Sequence, residues 1–192
     1  MTNKLNFRLI NEFEADVIIS SLSNISQKFT QDLEELKLDL YISLDNISSK
    51  TKFPEIYLVS KYQFSLLTSL NNDKIVSAGL YFGFIKKGDF FLSLEGIEFL
   101  YKRNIFFDLK IINVTDKGEK SILYGNNILK NMIIKIPKNV NQRDILIVVN
   151  KFDEIIAIAQ SKYHYPKIQK LRPKDIVAIT LSDKGYYLRK NQ

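Results

Sequence analysis

Apolar residues recur at Phe13, Val17, Ile18, Leu22, Ile25 and Phe29, close to the helical period, and Asn11 followed by Glu14 has the capping-box spacing. This pattern predicts an amphipathic helix over residues 11 to 29. In LDLYISL (38 to 44) and EIYLVS (55 to 60), β-branched and aromatic residues alternate with polar ones as half-buried strands require, and Pro54 marks the entry to the second. Helical spacing returns over residues 61 to 70 through Tyr62, Phe64, Leu66, Leu67 and Leu70, with Asn71 and Asn72 ending it. A hairpin follows, its strands at 75 to 85 and 90 to 94 flanking Lys86, Lys87, Gly88 and Asp89, where glycine supplies a positive φ. Ser93 or Leu94 then opens a short helix reaching Tyr101.

Beyond Lys102, Arg103 and Asn104 the pattern changes from mixed helix and strand to mainly short strands, at 106 to 112, 145 to 150, 155 to 160, 176 to 181 and 186 to 189, with a helical turn or two between 115 and 131. The predicted organisation is therefore α+β: an amino-terminal α/β domain with an antiparallel sheet over residues 1 to 104, then a small β barrel or sandwich over 105 to 192.

A chain of 192 residues with 45% hydrophobic and 26% charged residues has the composition of a folded protein and can bury two cores of this size. With no Cys and a single His, disulfides, thiolate nucleophiles, Cys-ligated zinc and His-rich metal sites are excluded, so no metal and no cofactor is expected and a reducing, intracellular home is the default. A polar, charged start and the lack of a long apolar run predict neither signal peptide nor membrane anchor. The net charge of +7 is unevenly placed: residues 1 to 100 hold 10 Lys/Arg against 13 Asp/Glu, whereas residues 101 to 192 hold 18 against 8. Such asymmetry directs the second half towards a polyanion, solubility being the plainer alternative.

The run KYHYPKIQKLRPK, residues 162 to 174, holds Lys162, Lys167, Lys170, Arg172 and Lys174 with no acid among them. Tyr163, His164 and Tyr165 interleave planar rings with these cations, a combination suited to the phosphates and unstacked bases of single-stranded nucleic acid. In SILYGNNILK, Gly125 and Asn126 can adopt left-handed conformations and Lys130 adds a charge, so these three are further candidate contacts; a helix simply ending at Gly125 explains the same residues. No phosphate-binding glycine loop, nucleophile elbow or zinc-binding helix motif occurs, and the carboxylate pairs Glu34/Glu35 and Asp153/Glu154 lie in polar stretches. Catalysis is not expected.

Residues 57 to 100, YLVSKYQFSLLTSLNNDKIVSAGLYFGFIKKGDFFLSLEGIEFL, carry DKIVS and an FG followed by a basic hairpin, and residues 123 to 130 read LYGNNILK. Both stretches resemble the Nip-seven ribosome-biogenesis factors, the second through their LYGN(x)(V/I)LK motif, and the region from Asp153 through Pro173 to Arg189 is similar to the family's carboxy-terminal PUA domain. The resemblance implies an RNA-binding PUA pseudo-barrel preceded by a pre-PUA domain, with an archaeal member as the nearest type. It implies a non-enzymatic factor in pre-rRNA processing and large-subunit maturation, binding uridine-rich single strands and meeting ribosome-assembly proteins through its amino-terminal domain. Its home would be the cytoplasm of an archaeon or the nucleolus of a eukaryote. The family's RNA contacts map onto the segment around Lys162, Lys167, Lys170 and Lys174. Two departures stand out: where the family often carries glycine, this chain has Asn131, Met132 and Ile134, and Ile155, Ala157 and Ala159. The competing expectations are a protein-interaction adaptor without direct RNA binding and a PUA-containing accessory of RNA modification.

Overall fold

The computed structural model describes residues 7–22, 29–44, 53–69, 75, 77–105 and 110–189. The chain divides into two compact units, Met1–Asp108 and Leu109–Gln192.

In the first unit, β1 (Phe7–Leu9), β2 (Leu38–Ser43), β3 (Glu55–Ser60), β4 (Leu80–Lys86) and β5 (Asp89–Leu92) form one antiparallel sheet in chain order. Leu40, Ile42, Ile56, Leu58, Phe82 and Phe90 from one side of the sheet pack with Ile18 and Leu22 of α1 (Glu12–Leu22), Phe29 and Leu33 of α2 (Phe29–Glu35) and Leu100 of α4 (Leu94–Lys102). Phe7, Tyr41 and Val59 make a second, smaller cluster, and Phe64 of α3 (Lys61–Ser69) reaches the Tyr41 ring. The expected helix over 11 to 29 is described as far as Leu22, residues 23 to 28 lie outside the described set, and Phe29 opens α2, which the pattern did not predict. The end of α3 at Asn71 and Asn72 also lies outside it.

The first hairpin strand starts at Leu80 rather than 75. Gly79 explains the difference: its φ is +82° and a Cβ there would lie 2.1 Å from the Leu58 carbonyl oxygen, so the chain turns at this residue before joining the ladder. Lys87 and Gly88, both at positive φ, make the two-residue turn closing Lys86 against Asp89.

The capping box forms as the spacing predicts. The Glu14 amide donates to Asn11 Oδ1 at 2.9 Å, the Asn11 amide donates to Glu14 Oε2 at 2.8 Å, and Arg8 grips the same carboxylate at 2.7 and 2.9 Å. Burial pushes the Glu14 pKa up, but the Arg8 hydrogen bond, the Asn11 amide and the Arg8 charge outweigh it and the net shift is downward. A carboxylate depressed on folding contributes stability that is complete above its unfolded pKa and is lost as pH falls through the folded one. Thermal midpoints measured from about pH 6 to about pH 3 should therefore fall less for Glu14→Gln than for the parent. Parallel curves would refute this role for the carboxylate.

In the second unit, β6 (Lys110–Val114), β7 (Ile128–Leu129), β8 (Ile133–Lys135), β9 (Ile145–Val149), β10 (Ile155–Ser161) and β11 (Ile176–Asp183) form a sheet of order β7-β11-β10-β9-β6-β8, with only β6 and β9 parallel. Its two edge strands, β7 and β8, are separated in the chain by one 3₁₀ turn, Lys130–Met132. Strands three residues apart can sit at opposite ends of the order only if the sheet curls nearly closed, and irregularities on both sides of β10 accommodate the curvature. Inside lie Ile112, Val114, Ile128, Leu146, Val148 and Val177, capped by Ile122 of α5 (Asp116–Leu123). Ala157 and Ala159, at positions where the resembled family often has glycine, are fully buried in this core, so their methyl groups fill the barrel.

One expected strand is corrected. Residues Tyr186–Arg189 are helical, forming α7. The Arg189 guanidinium folds back onto the Asp183 carboxylate through two bonds of 2.9 Å and donates to the Leu123 carbonyl, which a continuing strand would not allow. Residues 106 to 109 of the strand predicted at 106 to 112 lie outside the described set; the strand runs from Lys110.

Candidate nucleic-acid interface

The basic run connects β10 to β11, and its middle is not a loop. Pro166 occupies the first turn of α6 (Tyr165–Gln169), where its missing amide costs nothing, and Ile168 is fully buried in the barrel core. That single anchor turns Lys167 and Lys170 outwards, and both are exposed, as are Arg172 and Lys174. Lys162 is half-buried; its amide donates to the Val177 carbonyl at 2.9 Å.

Tyr163 and Tyr165 are half-buried and pack against the core. Lys167 Nζ lies 4.2 Å from the centre of the Tyr163 ring and Lys162 Nζ lies 5.7 Å from it. The ring thus holds two cations in place. His164 is exposed at the start of α6, its carbonyl accepting from the Lys167 and Ile168 amides.

Two other segments border the run, neither adjacent to it in sequence. The Lys130 amide donates to the Asp175 carbonyl and the Asn131 amide to the Pro173 carbonyl, both at 3.0 Å, placing the 3₁₀ turn beside Arg172–Asp175. Opposite ends of residues 161 to 165 meet the loop before β9: the Tyr165 amide donates to the Val140 carbonyl and the Arg143 amide to the Ser161 carbonyl, each at 2.8 Å. This loop carries Lys138 and Arg143, both exposed, which sequence reasoning missed because they lie about twenty residues upstream and only barrel closure brings them alongside.

The nearby acids are already engaged. Asp175 bonds the Arg172 amide at 2.9 Å and its guanidinium at 3.3 Å, which lowers its pKa. Asp144 pairs with Lys110 at 2.5 Å. By contrast Lys130, Lys138, Arg143, Lys170 and Lys174 have no side-chain partner among the described residues. Exposed cations without counter-ions, held by rigid backbone, can neutralise the phosphates of an incoming strand.

Gly125 and Asn126 are exposed and also have structural partners within the barrel. Gly125, at φ +85°, ends α5, and the Arg189 guanidinium lies 3.1 Å from where a Cβ would stand. The Asn126 carbonyl accepts from Thr180 Oγ1 at 2.9 Å, tying this turn to β11. Both stabilise the barrel's end, in keeping with a helix that terminates at Gly125. Among the described residues no group of three or more His, Asp or Glu is arranged to hold a metal, and no helix is long and apolar enough to cross a membrane.

A curled six-stranded sheet with a helix-bearing basic connection between its last two long strands is a PUA-type pseudo-barrel, and the family model described as the UPF0113 PUA domain matches residues 110–192. The 60S ribosome subunit biogenesis protein NIP7 homolog of Xenopus tropicalis is 30% identical over 135 residues, 70% of this chain and 73% of that protein. The chain belongs to the NIP7 family. Similar solved structures are a conserved PUA domain protein from Thermoplasma acidophilum, with a TM-score of 0.59 at 14% identity over 96% of this chain and 98% of that one, and a hypothetical protein from Pyrococcus horikoshii, with 0.60 at 13% over 92% and 93%. At such identities they speak for the fold alone.

Proposed function

We propose that this protein is a non-catalytic RNA-binding factor of large-subunit ribosome assembly, holding pre-ribosomal RNA through Lys162, Lys167, Lys170, Arg172 and Lys174, with Lys130 at the border. The observation that carries this reading is the convergence of cation-bearing segments around a run beside which Asp144 and Asp175 are already paired. Membership of a family whose relatives are named for 60S subunit biogenesis supports the assembly role. Uridine-rich single strands are the proposed ligand, with the half-buried Tyr163 and Tyr165 rings beside the cations as surfaces for base stacking. The amino-terminal unit, with Phe13, Tyr62, Phe64 and Leu66 exposed, is proposed to meet assembly proteins, in the nucleolus or, without a nucleus, the cytoplasm.

The test is a titration of the full chain with labelled oligouridine over a salt series. Log affinity should fall linearly with log salt, by about 0.7 per neutralised phosphate. Absence of binding, or affinity indifferent to salt, would overturn the reading.

A further inference from the structure

Arg143 holds a left-handed backbone, φ +71°, in the turn between Asn141 and Asp144. Glycine adopts that conformation freely and an arginine side chain does not, so the residue is strained where its backbone alone would serve. Its backbone work is complete without the side chain: the amide donates to Ser161 and the carbonyl accepts from Gln160 Nε2 at 3.3 Å. The guanidinium is exposed and has no ion pair, hydrogen bond or ring contact among the described residues. Asp144, the nearest acid in the turn, is occupied by Lys110 and by the Asn141 amide at 2.6 Å. An unpaired cation kept at a strained position directly beside the start of the basic run calls for a ligand.

We propose that Arg143, with Lys138, widens the RNA site, so that the strand's phosphodiester backbone lies across the adjoining loop at 138–143 and segment at 162–170. This rests on the RNA-binding reading above and extends it. The backbone bonds set the geometry: Arg143 sits beside Ser161 and Val140 beside Tyr165, so that the loop carrying Lys138 and Arg143 runs along the first residues of the run. Arginine suits this place because its planar fork grips two phosphate oxygens at once, where lysine offers a point charge.

Arg143→Gly, Arg143→Gln and Arg143→Lys, made in the full chain, separate the outcomes by thermal melting and by oligouridine titration over salt. The glycine variant should melt at or above the parent, since strain is relieved, yet bind about fivefold more weakly at low salt with its log–log slope reduced by about 0.7. The glutamine variant should lose as much, and the lysine variant should keep the slope with part of the affinity. Parent-like affinity and slope in the glycine and glutamine variants, while glutamates at Lys167, Lys170 and Lys174 abolish binding, would overturn this proposal and leave the site reading standing. A parent chain that does not bind RNA would overturn both.

Discussion

Replacing Lys167, Lys170 and Lys174 together by glutamate is expected to weaken binding of oligouridine about a hundredfold at moderate salt and to reduce the log–log salt slope by about two. All three side chains are exposed and none is ion-paired among the described residues, so reversing them breaks no salt bridge there. The substitution does take the Lys167 ammonium away from the Tyr163 ring, an attraction worth about 0.5–1 kcal/mol at such a site. The variant should therefore remain folded by circular dichroism while failing on every RNA sequence tested. Retention of parent affinity would move the site away from this segment, towards Lys130 and Lys135.

The second large effect is on stability. Ile168→Ala should cost about 2–5 kcal/mol in denaturant unfolding, because the side chain is fully buried among the barrel residues and α6 is too short to hold its place by backbone bonds alone. That is a large part of the about 5–15 kcal/mol available to a domain. RNA affinity should fall with it, since Lys167 in α6 and Lys170 just after it are positioned by this anchor. Ile168→Val, which keeps most of the volume, should cost about 0.5–1.5 kcal/mol. A loss below about 1 kcal/mol for the alanine variant would mean that α6 is positioned by something other than this side chain.

Most of the amino-terminal unit was legible because its elements are specified by contiguous residues. The Asn11–Glu14 box, the alternation in EIYLVS and the Ser93 cap of α4, whose hydroxyl accepts from the Gly96 amide at 2.8 Å, are each complete within a few positions. What escaped did so for several reasons. α6 is hidden by its own composition, one apolar anchor among cations. β7 and β8 are too short for any period to register, and α7 exists because Arg189 returns to Asp183 and to Leu123, the latter 66 positions away. At the site, charge and spacing pick out the cations, but not that Lys162 and Lys167 lie over the Tyr163 ring, nor that residues 138 to 143 come to lie beside them.

The short 3₁₀ turn joining the sheet's first and last strands has a consequence for how other chains can engage this unit. A peptide that docks by strand addition needs a length of unpaired amides and carbonyls along a sheet margin. Here one margin is two residues long and the other three, and just past the first the Lys130 and Asn131 amides are spent on Asp175 and Pro173. With no backbone template to extend, a protein partner of the barrel has to recognise side chains, and the same shortness protects the unit from self-association through its margins.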